Sequence, residues 1–502
     1  MGITRCPVEC PGCKTGIVLR LGVGHEKRQA FFYVCPKCQA ATKGALIWDG
    51  GAGTRLELAD GRKLKSEKHC TEVVTINPEI PAFAGAKSMA EPGGSAFITF
   101  FQWLGGDGIQ QCQGAFYQMR HLLDSDWNGL SRLTTYYLNR DWKHYDAALE
   151  GLLPEEHRSV SADWMREHHI HYLYELLFSA IWVLDPGKNF MEMKVAWNAL
   201  WSPDRPHFKN LVPFAQAEVN TPLFESTQRA LFEQIGRYVN LMSAMFPGLL
   251  CDMLPEKHQP EVDRLRLFRD EFELLRDLYI QGFETSHKVL RWVIGTLNAD
   301  IHGDPNRFLP VPGMNPQVAN RPPKNLDAFT NLPNASKREW LIQFPEWHKR
   351  WDSLFDRHLR NDIGHASARH ELPTGLIQRD DRPPLPYTRF VQQVHRILHP
   401  LLACITVLKI MRIYSTVKWV DWYSLLLPGA TGEWASRRSR PRAEEKAGRF
   451  GRDDSYCVAF MSEPKLRPPR KGHPRSGKCK PYQVKQVRNV ITNYRLAGEA
   501  DA

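Results

Sequence analysis

The hydrophobic rhythm of the chain changes near residue 116. Up to about residue 78, apolar residues come in short β-prone runs, "GIVLRL", "RQAFFYVCP" and "CTEVVTINP", each bounded by Gly, Pro or Cys. Such runs predict strands and tight turns. Residues 79–115 carry the breakers "AEPGGSAF" and "LGGDG" and read as an irregular linker. From 116 onward apolar positions recur every three or four residues, as in "PLFESTQRALFEQIGRYVNLMSAMF", which predicts amphipathic helices. The longest segment of this kind runs from Glu261 to Asn298, with Leu265, Phe268, Phe272, Leu275, Leu278, Tyr279 and Phe283 on one stripe. A stripe like this predicts core and carries no functional meaning.

Residues 302–335 are rich in Pro and Asn and read as a long loop. In "NASKREWLIQFPEWHKRWDSLFDRHLRNDIGHA", Asn334 or Ser336 can cap a helix that runs to about Arg360, with a break or kink at Pro345. A second loop, "LPTGLIQRDDRPPLP", precedes a final helix of about 25 residues from Tyr387. The expected fold class is mainly α. Its parts are a small β domain over 1–78, a linker over 79–115, a helical domain over 116–258, a helical bundle over 259–430 and a C-terminal segment over 431–502.

Composition adds that the chain is a soluble globular type, with 42% hydrophobic and 24% charged residues among 502. The net charge of +11 is concentrated at one end: Arg437 to Arg488 holds 16 Lys and Arg against 5 Asp and Glu, the whole surplus. A basic segment of this density predicts attraction to a polyanion, RNA, DNA or an acidic membrane surface, with a solvated tail as the plainer reading. "MGITRCPVECPGC" lacks the apolar core of a signal peptide. "ILHPLLACITVLKIMRIY" is interrupted by Lys409 and Arg412 and reads as a buried helix, with no membrane partner. The expected compartment is cytoplasmic and reducing, so the 11 Cys read as ligands or buried thiols rather than disulfides.

Two CxxC pairs stand out: "CPGC" at Cys10 and Cys13, and "CPKC" at Cys35 and Cys38, with 21 residues between them. Each tight turn aims two thiolates at one point, and two such turns complete a four-sulfur site for zinc. A closed four-Cys site has no open coordination position, so this zinc is expected to be structural. Cys6 is a spare that could stand in for Cys10, but the CxxC spacing favours Cys10. His25, His69, Cys70 and Cys112 have irregular spacing, and His168 and His171 share a helical face that reads as solvated. The domain resembles the zinc ribbons, which serve both as nucleic-acid contacts and as protein-docking modules.

The stretch "LFDRHLRNDIGHASARH" ends a helix with Arg360, Asn361 and His365 inside six residues. Arg-x4-His alone is uninformative, since Arg166 and His171 match it too. Arg360 differs because Asn361 follows it directly, long amphipathic segments flank it, and Gly364 lets the backbone turn before His365. The segment resembles the HEPN domain family over about residues 260 to 415, a third of the chain. The resemblance implies a helical bundle with RNA-cleaving activity, Arg360, Asn361 and His365 as site residues, and a homodimer in which two motifs face each other. It also implies a toxin or phage-defence role.

The chemistry agrees with those residue types. RNA cleavage without a metal cofactor needs a base for the ribose 2′-hydroxyl and an acid for the leaving oxygen, and histidine serves as either near neutral pH. An always-charged arginine fork stabilises the phosphorane-like transition state. The alternative expectation is a non-catalytic nucleic-acid-binding or regulatory protein that uses the ribbon and the basic segment. The chain has no Walker A, GxSxG or HExxH motif, so those enzyme classes are set aside.

Overall fold

The computed structural model describes residues 2–24, 26–48, 53–83, 98–152, 173–174, 177, 208–354, 356–364, 368–379 and 382–416. The chain divides into two units, Met1–Gly429 and Ala430–Ala502. The described residues all belong to the first. The basic segment lies outside the described residues, as do His25, Arg166, His168, His171 and His365.

The first unit is mainly α, with small sheets at its N-terminal end. Strands β1 (Gly2–Glu9), β2 (Gly16–Val23), β3 (Arg28–Val34), β4 (Ala41–Trp48), β5 (Thr54–Leu58), β6 (Arg62–Lys63) and β7 (Cys70–Ile76) form two sheets, ordered β6-β1-β2-β7 and β3-β4-β5. β1–β2 and β3–β4 are antiparallel hairpins, and β7 joins β2 in parallel. Gly16 is required at the start of β2: a Cβ there would lie 2.3 Å from the His69 carbonyl oxygen. Between the sheets, Val8, Ile17, Leu19, Leu21, Phe31, Tyr33 and Leu46 form a core of their own.

Strand β8 (Ala82–Phe83) leads on to the helices α1 (Ile98–His121), α2 (Trp127–Leu138), α3 (Trp142–Leu152), α4 (Phe208–Val219), α5 (Pro222–Asn240) and α6 (Met242–Asp252). Strand β9 (Leu265–Arg266) precedes α7 (Phe272–His302), the longest helix among the described residues. Then come α8 (Pro316–Ala319), α9 (Leu326–Thr330), α10 (Asn334–Glu339), α11 (Pro345–Leu354) and α12 (Arg357–Gly364). The sheet β10 (Arg369–Glu371), β11 (Leu376–Gln378) and β12 (Leu385–Pro386) follows, and α13 (Tyr387–His395) and α14 (Leu398–Thr416) end the described chain. α7 is buried on nearly every side from Val289 to Asp300, packed by α4, α5 and α14, and ends where Gly303 adopts φ 74°, the left-handed cap that glycine favours.

Several expectations are corrected. The stripe from Leu265 to Phe283 is not one helix. Glu256–Arg264 is 3-10, Leu265 pairs with Phe83 in a strand, and α7 begins only at Phe272. Here tertiary contacts override periodicity, because Phe268 is buried in the core of the N-terminal sheets. The linker expected over 79–115 contains most of α1, with the "LGGDG" glycines supplying a bend at Gly105 (φ 69°, ψ 178°) rather than a stop. The helix expected from Asn334 to Arg360 is three helices, and Pro333 occupies its cap position. The two expected loops contain α8 and α9, and β11 and β12. The final helix divides at Arg396 and Ile397, because the ring of Pro400 conflicts with the Arg396 carbonyl four residues back. The stretch Tyr387–Ser415 is long and apolar enough to cross a membrane, and most of it is buried in the fold.

Candidate functional site

The Cys10 and Cys35 turns are built alike. Each CxxC closes a hairpin, and the residue after its second cysteine, Lys14 or Gln39, takes a left-handed conformation with φ 59° or 60°. The Lys14 N–H returns to the Cys10 carbonyl at 3.1 Å and the Gln39 N–H to the Cys35 carbonyl at 2.9 Å. A non-glycine residue in this region costs about 1 kcal/mol. The side chains offset part of that: Lys14 Nζ donates to the Pro11 carbonyl and Gln39 Nε2 to the Pro36 carbonyl, both at 3.1 Å.

The turns bring the Sγ atoms of Cys10, Cys13, Cys35 and Cys38 within 4.8 Å of one another. The cross-turn pairs Cys10–Cys38 and Cys13–Cys35 are each 3.6 Å apart. A tetrahedral zinc with bonds of about 2.3 Å needs sulfurs about 3.8 Å apart. The tetrad therefore fits a metal ion such as zinc. The hydroxyl and backbone N–H of Thr15 draw the Cys13 thiol down to about 6, while burial pushes Cys35 up to about 12. Cys6 lies in β1 opposite Leu19 and is outside the tetrad. Among the described residues no other cluster of His, Cys, Asp or Glu could hold a metal, and His69, Cys70 and Cys112 join none.

Arg360 lies on α12, which packs against α7. Its Nε donates to Oε1 of Glu284 on α7 at 3.0 Å, and its Nη2 donates to the same oxygen. Its Nη1 faces Oδ1 of Asn361 at 3.3 Å, and a Cβ on Gly364 would lie 3.9 Å from that nitrogen. The guanidinium thus lies alongside the residue that immediately precedes His365. About a third of each side chain is exposed, 35% for Arg360 and 37% for Glu284, so the pair is open to solvent. Asp362 faces another way, accepting from Arg379 at 2.6 Å and pairing with Arg382 at 3.2 Å, which ties α12 to the chain after β11.

Residues to which the sequence assigns no part in this site complete the region. Asn334, at the start of α10, donates from Nδ2 to the second oxygen of Glu284 at 2.7 Å. Lys337 on α10 and Lys288 on α7 add positive charge near that carboxylate. No local motif joins Glu284, Asn334, Lys337 and Arg360; the packing of three helices does. Arg389 and His395, an Arg–His pair spaced one residue wider, are structural: Arg389 pairs with Asp263 at 2.8 Å and His395 is buried against Tyr238. Comparison of the chain with protein-family models, curated proteins and solved structures found no match.

Proposed function

We propose that the chain is a metal-independent endoribonuclease of the HEPN type, stabilised by a structural zinc in the Cys10, Cys13, Cys35 and Cys38 site. The observation that carries this reading is the Arg360 guanidinium, about a third exposed to solvent, with its Nη1 beside both Gly364 and the Asn361 carboxamide. In this role Arg360 binds the scissile phosphate and stabilises the charge that grows on it. Asn361 orients the phosphate or the imidazole. His365 takes the proton from the ribose 2′-hydroxyl or gives one to the leaving 5′-oxygen. One motif supplies one histidine, so two copies of the chain complete the acid–base pair across a dimer. The basic C-terminal segment supplies charge for RNA, and the host role is that of a toxin or phage-defence factor.

Arg360 is engaged by Glu284 in this structure, which favours one second reading: a nucleic-acid-binding protein that does not cut. The product end separates the two. Attack by the 2′-hydroxyl leaves a 2′,3′-cyclic phosphate, which mass spectrometry of a cut oligonucleotide detects. A 3′-hydroxyl product overturns the proposed chemistry, and binding without any product supports the second reading.

A further inference from the structure

Glu284 is the point on which three helices converge. One of its oxygens accepts from the Arg360 fork and the other from Asn334 Nδ2. Lys288 lies one helical turn further along α7, and Lys337 approaches from α10. Among the described residues, Arg360, Lys288 and Lys337 bring three cations toward this one carboxylate. Lys337 is 8% exposed, and among the described residues its ammonium forms no hydrogen bond or ion pair. The stem of Lys337 is what is buried; burial lowers its affinity for the proton, while the Glu284 carboxylate raises it. A simple bridge between Arg360 and Glu284 does not need two further cations beside it. An anion larger than a carboxylate, with more acceptor oxygens, would use all four donors.

We propose that Arg360, Lys337, Lys288 and Asn334 form a phosphate subsite for RNA, and that Glu284 is its built-in occupant, displaced by an RNA phosphodiester. This rests on the reading of Arg360 as a phosphate ligand. A carboxylate presents two acceptor oxygens to an arginine fork much as a phosphodiester presents its two non-bridging oxygens. An ion pair as open as Arg360–Glu284 contributes little to stability, so the exchange is inexpensive. Glu284 thereby keeps the subsite closed to weak anions and opens it to a polyanion held elsewhere on the protein.

The test is binding of the full chain to a 2′-O-methyl oligoribonucleotide, which lacks the attacking hydroxyl and stays intact. Glu284→Gln keeps the shape and removes the competing charge. It is expected to bind about tenfold more tightly, and Lys337→Met about tenfold more weakly, the scale of one charged contact. The salt dependence of binding provides a second reading that the folded fraction does not affect. Unmasking one phosphate contact steepens the slope for a single strand by about 0.7 in Glu284→Gln. Equal or weaker binding by a folded Glu284→Gln, with an unchanged slope, overturns the inference and makes Glu284 a prop for Arg360. Inorganic phosphate is the other probe: a site that takes it and ignores the oligonucleotide overturns the assignment to RNA. Because the probe cannot be cut, tighter binding by Glu284→Gln upholds the subsite even if natural RNA is never cleaved. Conversely, cleavage that depends on Arg360 with no gain in Glu284→Gln sinks this inference alone.

Discussion

The backbone N–H of Phe32 in β3 donates to the carbonyl of Phe268 across 2.9 Å, so the N-terminal sheets hold the chain just before α7. The bond has company. Phe268 is buried in the core of those sheets, Arg269 pairs with Glu26 at 2.7 Å, and Asp270 pairs with Lys43. The cysteine turns therefore anchor more than their own hairpins. Losing a metal held by the tetrad is expected to loosen the segment that launches α7.

Metal removal, by a thiol reagent or by Cys35→Ser, is expected to lower the melting temperature sharply. Metal-coupled folding in isolated zinc fingers is on the order of 10 kcal/mol. Hydrogen exchange locates the effect. Amides at Phe32, and in the β8–β9 pair between Phe83 and Leu265, should lose protection together with the cysteine turns. Protection lost only within residues 2–48 would contradict the coupling.

Acid should act at the same seam. Asp270 is partly buried, which raises its carboxyl, but hydrogen bonds from His370, 2.9 Å away, and from Lys43 outweigh burial and hold it at about 2, below its ordinary 3.8. A carboxyl depressed by folding contributes stability above its unfolded value and loses it as pH falls. The contribution is thus full above about pH 4 and disappears between about 4 and 2. Urea midpoints across that window are expected to fall less steeply in Asp270→Asn than in the natural chain. Parallel curves would remove this pair from the acid response.

Two acidic partners of one arginine should differ in value. Glu218, on α4, accepts from Arg291 at 2.8 and 2.7 Å and from Trp292 Nε1 at 2.9 Å, all buried. Asp327 meets the same guanidinium at 2.8 Å but is 81% exposed. Glu218→Ala leaves two buried Arg291 donors and the Trp292 N–H unpaired and is expected to cost about 3 kcal/mol or more in denaturant unfolding. Asp327→Ala is expected to cost less than about 1 kcal/mol. Equal losses would show that burial is not what sets the energy here.

The cysteine site was legible because its chemistry is local: two CxxC spacings imply two turns and one tetrahedron. The left-handed residues after those turns were not legible, because Lys14 and Gln39 carry none of the usual glycine or asparagine signal. The start of α7 was misread because Leu265 and Phe268 keep a helical spacing while serving a strand and a second core. Pro400 marked the break in the final helix and was passed over within an apolar run. The neighbours of Arg360 were invisible for a different reason. Glu284 and Asn334 are 50 residues apart and meet only through helix packing.

The central claim is tested most directly by RNA cleavage in excess EDTA, with the natural chain beside Arg360→Ala and His365→Ala. EDTA removes free divalent cations, while a four-thiolate site is expected to hold its zinc. The account predicts cleavage by the natural chain that falls by at least about a hundredfold in each variant, the scale of one acid–base or charge-stabilising group. Cleavage that persists in both variants would contradict it and place the activity elsewhere.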